Sequence, residues 1–275
     1  MAEVTRFAPS PTGALHLGHA YAALTAARLA GAGGRMLLRI EDIDRARCRR
    51  EYEAAIQDDL HWLGLDWPLP VMRQSDRGAA YGAALDRLAA LGVTYHCRCT
   101  RGDIRAALNA PQEGAPMTGP DGPIYPGTCR NAGHADGAVR LDMARAVALT
   151  GSVAYDETGP GAGRQRIAGL EMISGTGDIV LARRDLGVAY HLAVVVDDAA
   201  QGVTLVTRGE DLRAATPVQV LLQRLLGLPT PGYHHHRLIR DETGKRLAKR
   251  DDARALGLYR AQGSTPADIR IWLAD

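Results

Sequence analysis

Aromatic side chains are scarce in this 275-residue chain: they make up 5% of it, and Phe7 is its single phenylalanine. With 46% hydrophobic residues all the same, the length suits one sizeable globular body or two modest ones. An excess of one charge is equally lacking. Thirty-three Lys and Arg face 31 Asp and Glu, and a net charge of +2 does not announce a polyanionic partner. Any nucleic-acid-binding face has to be local, and the segments Arg45-Arg47-Arg49-Arg50 and Arg237 to Arg250 are the candidates. There is no N-terminal apolar h-region and no run of about 18 apolar residues, which excludes secretion and membrane insertion as expectations and leaves a cytoplasmic protein. Only four cysteines occur, and Cys97 and Cys99 stand too close for an ordinary disulfide framework. Internal repeats and long low-complexity segments are absent.

What is present begins at the N-terminus. Arg6-Phe7-Ala8-Pro9-Ser10-Pro11-Thr12-Gly13-Ala14-Leu15-His16-Leu17-Gly18-His19 reads as a strand running into an H-x-G-H element and then an Ala-rich helix. Imidazoles three positions apart at a helix start face the same side, where free N–H groups and the helix dipole favour an anion. Gly13 and Gly18 remove side chains that would keep a nucleotide from the backbone. Taken alone, the pair can equally be two surface histidines after a Pro-rich turn.

Residues 3–8 read as a strand, 18–32 as a helix and Met36 to Ile40 as a second, buried strand; 51–64 and 79–91 have helical spacing. This strand–helix–strand opening predicts a doubly wound, Rossmann-type parallel sheet with its ligand beyond the carboxyl ends of the strands. From about 95 to 185 the pattern breaks into short segments, including the Gly/Pro-rich stretch Ala110 to Pro126, as an insertion would. Val188 to Val206, with Val194-Val195-Val196 and Val203-Thr204-Leu205-Val206, resumes the apolar sheet pattern, and Pro217 to Leu226 reads as an apolar helix. The expected division is 1–94 and 186–250 for the two halves of the parallel-sheet domain, 95–185 for the inserted subdomain and 251–275 for a short helical end.

Two further patterns carry chemistry. Cys97 and Cys99 follow a short strand end, and Tyr125-Pro126-Gly127-Thr128-Cys129 returns after a polar loop. Three thiolates with one more donor make a closed tetrahedral zinc site, against the alternative of three buried free thiols. Cys48, in an arginine-rich stretch, has no metal partner nearby in sequence. Glu41, after the second strand, can hold an ammonium, and Arg208, after another, can grip a carboxylate with its fork, although both also suit surface ion pairs. Near the C-terminus, Gly244-Lys245-Arg246-Leu247-Ala248-Lys249-Arg250 is a basic loop behind a turn, which in isolation would be a solvated run.

Together these motifs resemble class I aminoacyl-tRNA synthetases of the glutamyl group. The stretch Arg6 to His19 matches their R-F-A-P-S-P-S/T-G-x-L-H-x-G-H signature. The basic loop is similar to their K-M-S-K-S signature, with Lys249 at its second lysine, Arg246 replacing the first lysine and Ala248 the serine. The resemblance implies that His16, His19 and Lys249 act on the phosphates, with Gly18 and Arg246 also at ATP, and that Mg²⁺ accompanies ATP without a protein cage. It also implies that Arg6, Ser10, Glu41, Tyr190 and Arg208 contact glutamate. In shortened relatives a C-x-C…Y-x-x-x-C pattern carries zinc, which gives Tyr125 as fourth ligand to Cys97, Cys99 and Cys129, with His96 and His134 as more ordinary alternatives.

Full-length glutamyl enzymes continue into a large helical anticodon-reading region, whereas only residues 251–275 follow Arg250 here, too few for such a module. Val194 also stands where they usually have asparagine. The chain therefore resembles the short family of glutamyl-queuosine tRNA(Asp) synthetases. That resemblance implies ATP-dependent activation of glutamate without tRNA, and its transfer to the queuosine base in the anticodon of tRNA(Asp), by a monomer. A truncated conventional glutamyl enzyme charging the tRNA 3′ end, an H-x-G-H nucleotidylyltransferase, and a zinc-stabilised RNA-binding module with a decayed site are the rival readings.

Overall fold

The computed structural model describes residues 2–108, 118–184, 187–240 and 254–274. Lys249, Arg246 and the rest of the basic loop lie outside the described residues. The first half runs β1 (Val4–Phe7), α1 (Leu17–Ala30), β2 (Arg35–Ile40), α2 (Arg50–Trp62), β3 (Met72–Arg73) and α3 (Gly78–Ala90). Its three strands pair in parallel, with Val4 opposite Arg35 and Arg39 opposite Met72. Helix α1 starts where expected because His16 caps it: its Nδ1 accepts from the Gly18 N–H at 3.1 Å, and the His16 N–H donates to His19 Nδ1 at 3.2 Å. It turns into β2 through Gly34, where any Cβ would collide with the Ala30 carbonyl.

The middle of the chain divides between two sheets. Strands β4 (Thr94–Cys97), β7 (Ala138–Leu141), β10 (Val180–Arg183) and β11 (Gly187–Val188) form an antiparallel sheet of their own in the order β11-β10-β7-β4. Helix α4 (Arg101–Leu108) and the hairpin β5 (Thr118–Gly119) and β6 (Gly122–Pro123) lie between the first two in sequence. Helix α5 (Met143–Thr150), strands β8 (Val153–Glu157) and β9 (Gly163–Ile167) and helix α6 (Gly169–Gly175) follow β7. Strands β8 and β9 do not join the sheet of β4, β7 and β10, since Glu157 pairs with Tyr233 in the second half of the catalytic fold.

That second half contains α7 (Tyr190–Ala200), β12 (Leu205–Gly209), α8 (Thr216–Leu225) and β13 (Gly232–His236), with β12 and β13 parallel from Leu205↔Gly232 to Gly209↔His236. The Thr204 N–H donates to the Val4 carbonyl at 2.9 Å, which brings β12 alongside β1 and joins both halves at the centre. One expectation fails here. Val194-Val195-Val196 lies in helix α7, not in the sheet; a short apolar run has no periodicity to separate a strand from a helix buried on nearly all sides, as α7 is from His191 to Val195 and at Asp197 and Asp198. Helices α9 (Leu256–Ala261) and α10 (Pro266–Leu273) return to the first half, where Leu256, Ile269 and Leu273 share a core with Leu15, Ala20, Ile56 and Leu60.

Candidate active site and metal cluster

Strands β1, β2 and β12 deliver their carboxyl ends to one place. The loop after β1 is tied to the loop after β2 by the Glu41 N–H, which donates to the Pro9 carbonyl at 3.0 Å. Between them and the start of α7 lies a cavity of about 160 Å³ whose lining includes Ser10, Glu41, Gln74, Arg183 and Tyr190. Burial pushes the Tyr190 hydroxyl up in pKa; the positive charges of Arg208 and Arg6 pull it down, and Glu41 and Asp198 push it up. Ser10, Glu41 and Tyr190 thus share a wall, and the charges of Arg6 and Arg208 are felt at its tyrosine.

The two arginines are held differently. Arg6 Nε donates to Asp198 Oδ1 at 3.1 Å, and its Nη1 to the Thr207 carbonyl at 2.8 Å. The fully buried Arg39 donates to the same Asp198 oxygen at 2.6 Å and to Glu41 at 3.2 Å. Burial raises the Glu41 pKa, while Arg39 and Arg6 draw it back. Asp198, which burial would raise, is brought below its ordinary value by Arg6 and Arg39. Arg208 meets only neutral acceptors: Gln219 Oε1 and Thr216 Oγ1, both at 2.6 Å, and His235 Nε2 at 3.2 Å. Among the described residues no carboxylate pairs with it.

His235 can accept that bond because it is neutral. Burial pushes its pKa down to about 4, the charge of Arg208 adds to this, and its bond to Glu157 opposes. Its other nitrogen faces the Glu157 carboxylate, which Arg213 also contacts at 3.1 Å. A buried guanidinium with its charge unspent is suited to a ligand carboxylate. Sequence reading missed Arg39, Asp198 and His235. The signals were an arginine inside the apolar strand Met36-Leu37-Leu38-Arg39-Ile40 and the run His234-His235-His236.

At the helix start, the His16 and His19 rings lie with centroids 3.8 Å apart. Gly18 is needed there for packing, since a Cβ would come within 3.0 Å of the His16 ring. After the basic loop the described chain resumes at Arg254; Ala255 forms an antiparallel bridge with His16, and the Leu256 N–H donates to the Leu15 carbonyl at 2.8 Å.

A second cluster lies in the middle segment. The sulfurs of Cys97, Cys99 and Cys129 fall within 4.8 Å of one another. The Tyr125 hydroxyl stands 3.3 Å from Cys97 Sγ and 3.5 Å from Cys99 Sγ, and accepts from the Cys129 N–H at 2.8 Å. Burial pushes Cys99 up to about 11. It pushes Cys129 up too, but hydrogen bonds from Tyr125, the Arg98 backbone and the two neighbouring thiols outweigh it and bring Cys129 down to about 6. Four converging donors, one already inclined to thiolate, fit a metal ion.

The family model for the catalytic domain of class I tRNA synthetases (E and Q) matches residues 3–274. A glutamyl-Q tRNA(Asp) synthetase of Rhodobacter capsulatus is 59% identical, over 97% of this chain and 98% of its own. One of Nocardia farcinica is 44% identical, over 98% and 83%. Among solved structures, a glutamate tRNA ligase from Elizabethkingia meningosepticum in complex with its amino acid superposes with a TM-score of 0.75 at 26% identity; the match covers 97% of this chain and 59% of that longer one. With cleft, fold and end-to-end similarity in agreement, the chain belongs to the glutamyl-Q tRNA(Asp) synthetases of the class I (E and Q) tRNA synthetase family.

Proposed function

We propose that this protein activates glutamate with ATP, without RNA, and transfers it to the queuosine base in the anticodon of tRNA(Asp). The observation that carries the reading is the 59% identity to a protein of that name over 98% of the relative's length. In the first step a carboxylate oxygen of glutamate attacks the α-phosphorus of ATP, forming glutamyl-adenylate as the bond to pyrophosphate breaks. His16, His19 and Lys249, with Arg246, offset the charge growing on the phosphates, a role worth about 2.7–4 kcal/mol per donor in oxyanion holes. Mg²⁺ travels with ATP. Glu41 takes the substrate ammonium, Arg208 the side-chain carboxylate, and Arg6, Ser10 and Tyr190 complete the pocket. In the second step a hydroxyl of the queuosine cyclopentene ring attacks the carbonyl carbon, an ester C–O bond forms, and AMP leaves while the hydroxyl proton passes to solvent.

Cys97, Cys99, Cys129 and Tyr125 hold one zinc ion in this reading, because three soft thiolates select zinc over magnesium or calcium. A closed site supplies folding energy to residues 95–185 and takes no part in the reaction. Metal analysis of protein purified without chelator should find one zinc per chain, and Cys129→Ser should lose it; well under one in the parent would count against the assignment.

The functional test is glutamate-dependent exchange of pyrophosphate into ATP without RNA, followed by locating the transferred glutamate. Transfer should survive enzymatic removal of the 3′-terminal nucleoside of tRNA(Asp) and vanish when guanosine replaces queuosine. The reverse pattern would establish 3′-end charging, the activity expected of a conventional glutamyl enzyme.

A further inference from the structure

The cavity at the glutamate site shares its walls with a larger one. That second cavity, about 740 Å³, is lined on one side by Pro11, Asp42 and Ser75, each the chain neighbour of a residue lining the first: Ser10, Glu41 and Gln74. The loops that follow β1, β2 and β3 therefore form a partition, with adjacent residues facing opposite ways. The far wall comes from the start of α2 and the segment before it, and it carries Arg45, Arg49 and Arg50. Arg45 donates to the Ser75 carbonyl at 3.1 Å, and Arg49 to the Ala46 and Cys48 carbonyls at 2.9 and 3.1 Å. None of these three exposed guanidiniums has a carboxylate partner among the described residues, whereas Arg73 in the same cavity is neutralised by Glu53.

We propose that this arginine-lined cavity binds the sugar–phosphate backbone of the RNA next to the acceptor nucleoside. The proposal rests on the function assigned above and adds the docking face. A nucleoside reaching over the partition toward the activated glutamate leaves its flanking phosphates on the other side, where three unspent cations stand. The volume suits a nucleotide-sized ligand. Asp42 and Asp76, in the same lining, are acceptors suited to a ribose hydroxyl and repel a small, highly charged anion that has no sugar to offer.

Binding of queuosine-bearing tRNA(Asp) by fluorescence anisotropy across a salt series tests this. Arg49→Ala/Arg50→Ala should weaken binding about tenfold near 0.1 M salt, the loss of one to two charged contacts. It should lower the slope of log Kd against log salt by about 0.7 for each arginine removed. Arg166→Ala, in a separate basic cleft beside β9, should change neither. As both arginines are exposed, a melting temperature within about 2 °C of the parent confirms that the variant is folded.

Alkylation of the half-buried Cys48, which lines this cavity, gives an independent readout in the parent protein. The RNA should slow it at least threefold, while pyrophosphate alone should not. Unchanged salt slope in the double variant, loss of binding in Arg166→Ala instead, or equal protection by pyrophosphate would each overturn the proposal. Failure of the function itself looks different: the parent transfers no glutamate to queuosine-bearing RNA, whatever the arginine variants do to binding.

Discussion

The two sides of the cleft handle buried positive charge in opposite ways. On the β1–β2 side, Arg6 and Arg39 converge on one Asp198 oxygen, and Arg39 reaches Glu41 as well, so their charge is largely spent within the protein. On the β12–β13 side, Arg208 is fixed by an amide, a hydroxyl and an imidazole that burial keeps neutral, and its charge remains available. A cation already facing a carboxylate has a weaker field to offer a ligand, while one oriented by neutral acceptors keeps both geometry and charge. The first side spends its charge on the wall, and the second keeps a cation available.

Removing the carboxylate at the centre of the first side should have the largest effect. Asp198→Ala leaves two buried guanidiniums short of their anion and should cost about 3–5 kcal/mol of unfolding free energy, measured by urea titration. A loss under about 1 kcal/mol would mean that Glu41 alone neutralises both. On the other side the effect should appear in binding. Arg208→Ala should raise the glutamate KM at least about thirtyfold, the low end of the 2–5 kcal/mol for an unpaired buried charge, with the KM for ATP changed less than about threefold. Equal loss for both substrates would place Arg208 in the scaffold with Arg6 and Arg39.

Acidification sharpens the contrast with a smaller effect. Because burial holds His235 down to about 4, the unfolded chain binds a proton below about pH 6.5 that the folded chain refuses. Stability should therefore fall as pH drops from about 6.5 toward 4, by at most about 1.4 kcal/mol per pH unit from this group. Glu157, which burial raises but the His235 bonds hold below its ordinary value, adds a loss in the same direction at still lower pH. His235→Gln should flatten the first part of this profile; an unchanged profile would assign the acid sensitivity to other groups.

How much of this was legible differs from residue to residue. The parallel sheet and the helix behind His16 were readable because strand alternation and helix starts are written locally. Cys97, Cys99, Tyr125 and Cys129 could be grouped because spacing restricts where a metal's ligands fall. Val194 to Val196 was misread because an apolar triplet carries no period. The partners of Arg208 were not legible at all, as Thr216, Gln219 and His235 gain meaning only once α8 and β13 pack beside β12.

Sequence by itself determined the family and the parallel architecture, since these depend on motifs and patterns within short windows. Only the tertiary structure decided which of the gathered charges neutralise one another. Arg6 and Arg39 meet Asp198 across 192 and 159 positions of chain, and whether a buried charge is spent or kept depends on distances of a few ångströms that no spacing along the sequence encodes.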